Sequence, residues 1–284
     1  MPVVIEPTVA AASTPWAVQV LASGSKANAA LVTTPDGVVL LDAGVSLKAL
    51  RRALAVRGLS LADVRGVLLT HEHNDHAAHL RAWLERHPEW PVYLTAGSAR
   101  GLAARADGWV PPRCRWIVAD EILDVGGVRV QVLASSHDAE EPVTFGLERD
   151  GRVVAWITDT GRVTDAMVEV VRQSAVVFVE SNHDPDMLRH GPYPDMLKRR
   201  VGGDRGHLSN QQCARLLERA QSMRTATLLH RSEHNNTDAL ALTEARRVCG
   251  AAFPLRLALQ RAPLDVEWVD SLASTRTGQT LLAL

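Results

Sequence analysis

The sequence predicts an α/β fold in which two packed β-sheets carry helices on their outer faces. Two patterns predict it. Short apolar runs divided by turn signals fill the first and middle thirds, and helix–strand alternation fills the last third. At 284 residues, with 46% hydrophobic and 22% charged, the chain is long enough for a large core. Residues 1–14 read as a loose tail and 15–284 as one domain.

In order along the chain, WAVQVLAS leads into a Gly/Ser/Asn turn over Gly24–Asn28, followed by AALVTT, the turn Pro35-Asp36-Gly37, and VVLLDAG. Residues 46–57 read as a helix, 64–70 as a buried strand and 77–86 as a second helix. The middle alternates in the strand manner through VRVQVLASS, PVTFGLE and RVVAWITDT, with Asp150-Gly151 as a hairpin turn. Helices are expected at 164–173, 194–201, 209–221 and 237–249, and strands at 175–181 and 225–230. No internal repeat is visible.

Composition removes several classes of function. A formal net charge of −1 gives no global basic field, although a local basic groove is compatible with it. Cys114, Cys213 and Cys249 are odd in number and form no CxxC, which fits reduced thiols and neither a disulfide frame nor a thiolate metal site. No run approaches the ~20 apolar residues of a membrane span, so no membrane partner is expected. The start, MPVVIEPTVAAAS, lacks the basic region of a secretory signal. A cytoplasmic location is the expectation.

The chemistry concentrates in LLTHEHNDHAAHL. His71, His73, Asp75 and His76 stand where an apolar strand ends and a helical pattern begins. On a turn, His71 and His73 can converge on one ion while Asp75 and His76 point to another. Imidazole with carboxylate suits Zn, Mn or Fe. His137, Asp159 and His230 also follow apolar strands, at VRVQVLASS, RVVAWIT and TATLL. Active groups on α/β layers gather on such loops.

This ordered set resembles the signature of the metallo-β-lactamase superfamily over about residues 17 to 250. The resemblance implies an αββα sandwich and a dinuclear site holding two divalent metal ions, Zn or Mn. It assigns His71, His73 and His137 to one metal, Asp75, His76 and His230 to the other, and Asp159 as the bridge. The LLDAG segment resembles the first family motif, which makes Asp42 an orienting carboxylate behind the histidines.

Finer motifs are similar to the bacterial YycJ/WalJ group, whose members are linked to exonuclease activity on DNA. They are LASGSKANAALV, SSHDAEEPVTFGLE, VESNHDPDML, GPYPDMLKRR, GHLSNQQCA and LLHRSEHNN. Lys26-Ala27 and His234 depart from that pattern without touching a proposed ligand. The run from Gly206 also resembles the C-terminal part of tRNA 3′-processing endonucleases, and His207 matches their phosphate-contacting or proton-donating histidine. As residues alone, Gly206-His207-Leu208-Ser209 also make a good helix start, with Ser209 as N-cap.

Other candidates stay open at this level. His183 either lines the site or lies beside a helix cap formed by Asn182 and Asp184. Ser232 joins Asp42 and His183 as a support for the ligands or a contact for substrate. Ser23, Ser25 and Asn28 could offer hydroxyl and amide donors to a phosphate, but read first as turn formers. The basic run Lys198-Arg199-Arg200, near Arg205, reads as a solvated helix face that could meet a polyanion. The seven tryptophans show no stacking pattern.

The expected reaction is phosphodiester hydrolysis on nucleic acid, DNA favoured. Water activated between metals ~3.5–4 Å apart would attack directly, oriented by Asp159, with His207 assisting the leaving oxygen. No Ser or Cys sits in a nucleophile elbow, so no covalent enzyme intermediate is expected. Two rivals remain: a hydrolase of a small cyclic phosphodiester, lactone or thioester, and a non-catalytic nucleic-acid-binding module.

Overall fold

Apolar alternation near the N-terminus produces an antiparallel meander: β1 (Ala17–Ala22), β2 (Ala29–Thr34) and β3 (Gly37–Leu41). The computed structural model describes residues 15–260 and 262–269. The tail expected at 1–14, and 270–284 of the expected domain, lie outside the described residues. After β3 the chain switches to parallel crossovers. α1 (Leu47–Val56) is capped by Ser46 and buries Leu50 and Leu54, and leads to β4 (Val64–Leu68). Next come α2 (Asn74–Ala77), α3 (Leu80–Leu84), β5 (Val92–Leu94), α4 (Ala96–Arg105) and β6 (Cys114–Trp116). β4, β5 and β6 continue the sheet in parallel.

The second half repeats that plan. β7 (Ile122–Val125), β8 (Val128–Ala134), β9 (Val143–Arg149) and β10 (Arg152–Ile157) form an antiparallel meander. Parallel β11 (Val176–Glu180), β12 (Thr225–Leu229) and β13 (Leu255–Leu257) follow. α5 (Asp165–Gln173), α6 (Pro185–His190), α7 (Asp195–Val201), α8 (Asn210–Leu217) and α9 (Asp238–Cys249) lie between these strands. β14 (Glu267–Trp268) returns to pair with β1.

Two seven-stranded sheets result among the described residues, in the orders β14-β1-β2-β3-β4-β5-β6 and β13-β12-β11-β10-β9-β8-β7. Their facing sides share one core, including Val18, Val32, Leu41, Val130, Phe145, Trp156 and Phe178. Leu50, Leu54 and Trp83 pack on the outer face of the first sheet, and Met167, Val171, Cys213 and Leu217 on that of the second. The layers are therefore helix, sheet, sheet, helix, as the sequence predicts.

Several elements differ from expectation. The helix predicted at 77–86 is two pieces, broken around Ala78 and His79, with its first turn already formed at Asn74. That break lets His79 N donate to Ala43 O while Asn28 N donates to Asp75 O at 2.7 Å. The strand predicted at 64–70 stops at Leu68, because Thr70 N donates to Asp42 Oδ1. The helix predicted at 209–221 ends at Leu217.

Candidate metal centre

The carboxyl ends of β3, β4, β8, β10, β11 and β12 open at one edge of the sandwich, and the loops there carry the predicted residues. His71 and His73 sit on the loop after β4. Asp75 and His76 lie inside α2, where a turn is expected from sequence. His137 follows β8, Asp159 follows β10 and His230 follows β12. Asp42, Asp159 and His230 have φ of 58°, 51° and 49°. Left-handed backbone at a non-glycine residue is costly and gathers at functional sites.

Those side chains meet as two groups joined at Asp159. His71, His73 and His137 each offer a ligand atom within 4.8 Å of the others, and so do Asp75, His76 and His230. His137 Nε2 lies 3.3 Å from His73 Nδ1. Asp75 Oδ2 is 3.4 Å from both His76 Nε2 and His230 Nε2. Asp159 reaches across, with Oδ2 3.1 Å from His76 Nε2 and Oδ1 3.4 Å from His230 Nε2 and 3.8 Å from His137 Nε2. Ligand atoms ~2.0–2.1 Å from a tetrahedral ion stand ~3.3 Å apart, so this spacing suits donors sharing an ion. His71 Nε2 is buried with no hydrogen-bond partner, which a cation would supply.

Electrostatics divides the two groups. Burial holds His71, His73 and His137 below the usual imidazole range, so they are neutral, as ligands must be. Burial also presses on His76 and His230, but carboxylates overcome it. Asp159, Asp42 and Asp75 push His76 well up, and Asp159 with Asp75 lifts His230 to about 9. Asp159 and Asp75 titrate below the ordinary range: burial opposes this, and the adjoining His230 and His76 outweigh it. The second group thus demands positive charge. Together the donors suit divalent metal ions.

Supporting contacts fix the ring orientations. Asp42 Oδ2 lies 2.7 Å from His76 Nδ1, and Thr70 Oγ1 donates to Asp42 Oδ1 and lies 3.1 Å from His71 Nδ1. Such outer partners set the tautomer and aim of a ligating histidine. Asn28 and Ser23 do more than form a turn. Asn28 Nδ2 donates to Asp75 Oδ2 at 3.0 Å and lies 2.9 Å from His76 Nε2, and Ser23 Oγ accepts from His230 N. Gly44 makes this approach possible, since a Cβ there would lie 2.1 Å from Asp75 O.

His207 stacks on His230, ring centroids 4.9 Å apart, with Nδ1 3.0 Å from Glu180 Oε2. Glu180 is fully buried, and its Oε1 accepts from Thr160 N and Leu208 N. Sequence reasoning missed this carboxylate, although a lone acid closing the apolar run VVFVE was a usable signal. Ser209 does cap α8, through a capping box with Gln212. The cap and a site-facing His207 therefore coexist.

Three further residues resolve differently. His183 is buried beside His207 but contacts none of the seven donors. Burial, then the adjoining His207, lowers its pKa to about 4. Asp184 caps α6, whereas Asn182 turns inward and donates to His230 O. Ser232 uses its hydroxyl to accept from His234 N and Asn235 N, so it shapes the turn after His230. Glu72, which no sequence signal marks, is buried between the candidate donors His71 and His73. It accepts from Glu140 N, tying the His71–His73 loop to the loop carrying His137.

Comparison with known proteins agrees with this fold. The family profile described as Beta-lactamase superfamily domain matches residues 38–230. A Bacillus anthracis protein named Exodeoxyribonuclease YycJ is 34% identical over 260 residues, 88% of this chain and 98% of that one. Exodeoxyribonuclease WalJ of Streptococcus pneumoniae serotype 2 (strain D39) is 32% identical over 226 residues, 78% of this chain and 84% of that protein. Among solved structures, the metallo-β-lactamase fold protein YhfI from Bacillus subtilis superposes with a TM-score of 0.65 at 16% identity, covering 87% of this chain and 99% of that one. The chain belongs to the metallo-β-lactamase superfamily, as a metal-dependent hydrolase of its YycJ-like branch.

Proposed function

We propose that this hydrolase is a DNA exonuclease that cleaves phosphodiesters with two divalent metals, Zn or Mn. The observation that carries the reading is the pair of donor groups meeting at Asp159 at ligand spacing, with His207 poised beside them on Glu180. His71, His73 and His137 would hold one metal, Asp75, His76 and His230 the other, and Asp159 would bridge. Bound there, such a pair supplies Lewis acidity to the phosphodiester and an activated water.

The chain's own residues do the rest. Asp159, held at a left-handed φ, presents both oxygens inward and can orient the attacking water. Glu180 holds His207 by Nδ1, leaving Nε2 to donate a proton to, or hydrogen-bond, the departing oxygen. Names of the relatives support DNA as the substrate. No helix among the described residues is long and apolar enough to cross a membrane. The three free cysteines suit a reducing compartment, and a cytoplasmic location is part of the same reading.

The decisive test incubates metal-analysed protein with end-labelled single- and double-stranded DNA, RNA, and a chromogenic bis-phosphodiester. A metal-dependent ladder on DNA is expected. Turnover of the chromogenic diester alone would move the substrate to small phosphodiesters, and binding of DNA without turnover would remove catalysis.

A further inference from the structure

The basic run on α7 reads from sequence as a solvated helix face, and α7 indeed buries none of its residues. Its C-terminal end is nevertheless fastened to the ligand loops. Ser136 Oγ donates to Asp204 O at 2.7 Å, and His137 Nδ1 lies 2.9 Å from Gly206 O. The loop after α7 passes so close to Gly161 that a Cβ there would lie 2.3 Å from Gly203 O.

Two arginines grip the loop that carries His137. Arg200 Nε donates to Asp138 Oδ2, while Asp138 Oδ1 lies 3.3 Å from His137 Nε2. Arg205 donates from Nε to His137 O at 3.3 Å and from Nη2 to Ala139 O at 3.4 Å. The Arg200 side chain is still 59% exposed, and it uses only Nε on Asp138, leaving its Nη groups to meet a ligand. Arg199, beside it, is exposed and makes no ion pair among the described residues. Over residues 195–205, Lys198, Arg199, Arg200 and Arg205 outnumber the carboxylates Asp195 and Asp204.

We propose that α7 and the loop behind it are the phosphate rail for the DNA strand being digested. Arg200 and Arg205 hold the phosphate beside the metal centre, and Arg199 holds the next one along. This rests on the nuclease reading above and gives that site its grip on the polymer. A guanidinium fork matches phosphate oxygens in two-point fashion. Asp138 fixes Arg200 before substrate arrives, so less side-chain freedom is lost on binding. The strand would run from the His137 side of the centre out over α7, which explains how a chain of net charge −1 can hold a polyanion.

The test is steady-state hydrolysis of single-stranded DNA by the metal-loaded protein from about 50 to about 200 mM salt. Arg199→Ala and Arg200→Ala should each raise KM on the order of tenfold, and flatten the dependence of log KM on log salt by about 0.7 for each phosphate no longer neutralised. Arg200→Lys should keep the slope but not the full affinity, because lysine presents a point charge without the fork. Arg219→Ala, exposed just past α8, serves as the charge control and should match wild type. Metal content and melting temperature, measured on every variant, separate a weakened grip on the strand from misfolding. Wild-type KM and salt slope in a folded Arg199→Ala/Arg200→Ala double variant would overturn the rail while leaving the nuclease reading intact. A wild-type protein that turns over the chromogenic diester but no nucleic acid would overturn the nuclease reading, and the rail with it.

Discussion

Glu180 holds His207 by one ring nitrogen, so substitution at 207 should separate proton supply from metal binding. His207→Ala should lower turnover on DNA by on the order of 10² to 10⁴ with metal content unchanged. The loss should be smaller on a nitrophenyl diester, whose leaving oxygen needs little protonation. Equal losses on both substrates would make His207 a phosphate-positioning group instead. His183, next to it, gives a second prediction through pH. Its folded pKa of about 4 lies below the ~6.5 of an unfolded histidine. Between pH 6.5 and 4 the unfolded chain therefore binds a proton that the folded chain refuses, and stability falls as pH falls. For His183 alone that amounts to on the order of 3 kcal/mol. Urea melts over this range should give a shallower decline for His183→Asn than for wild type, and parallel curves would refute the assignment. The clustered donors were readable because His71 to His76 are adjacent and the others close apolar strands. Glu180 closes an apolar strand in the same way and was overlooked, whereas Asn28, Ser23 and Glu72 gave no such signal, because each acts through a partner far along the chain: His76, His230 and Glu140.

At the scale of elements, the long periodic helices and buried strands were legible and the short or unusual ones were not. β5, β6, β7, β13 and β14 are two to four residues long, too short for alternation to show. α4 was hidden differently. Its sequence, AGSARGLAAR, has two glycines and no apolar stripe, since the helix is used for close approach. A Cβ on Gly101 would lie 2.3 Å from Glu72 Cγ, and a Cβ on Gly97 2.3 Å from Glu141 Cβ. α4 thereby presses Glu72 toward Glu140 N and holds together the loops that carry His71, His73 and His137. Replacing a mid-helix glycine by alanine normally stabilises a helix by up to about 1 kcal/mol. Gly101→Ala should do the reverse here, costing roughly 1–3 kcal/mol by overpacking. It should also weaken metal retention at His71, His73 and His137 in a chelator competition. A stabilised variant with unchanged metal affinity would show that Glu72 ties nothing together.

At the scale of the molecule, the two halves share a plan without sharing sequence. Each sheet runs from an antiparallel meander into parallel strands. The repeat was invisible in the sequence because many apolar residues satisfy the same strand, so topology can recur where residues do not. The consequence for the site is physical. The first half contributes His71, His73, Asp75 and His76, the second His137, Asp159 and His230, and each metal would draw donors from both. Metal should therefore act as a clasp between the halves. Protein as isolated should carry close to two transition-metal ions per chain, and chelation should lower its melting temperature. Each ion present at ~100 times its dissociation constant stabilises by about 2.7 kcal/mol. Two ions in a chain of this size correspond to a shift of roughly 10–20 °C. Asp75→Ala provides the internal comparison, because the proposed assignment gives Asp75 to the second metal alone. That variant should hold about one ion, lose turnover, and show roughly half the wild-type shift on chelation. Elemental analysis finding no metal, together with a melting temperature indifferent to chelator and to added Zn or Mn, would remove the clasp and the metal centre together.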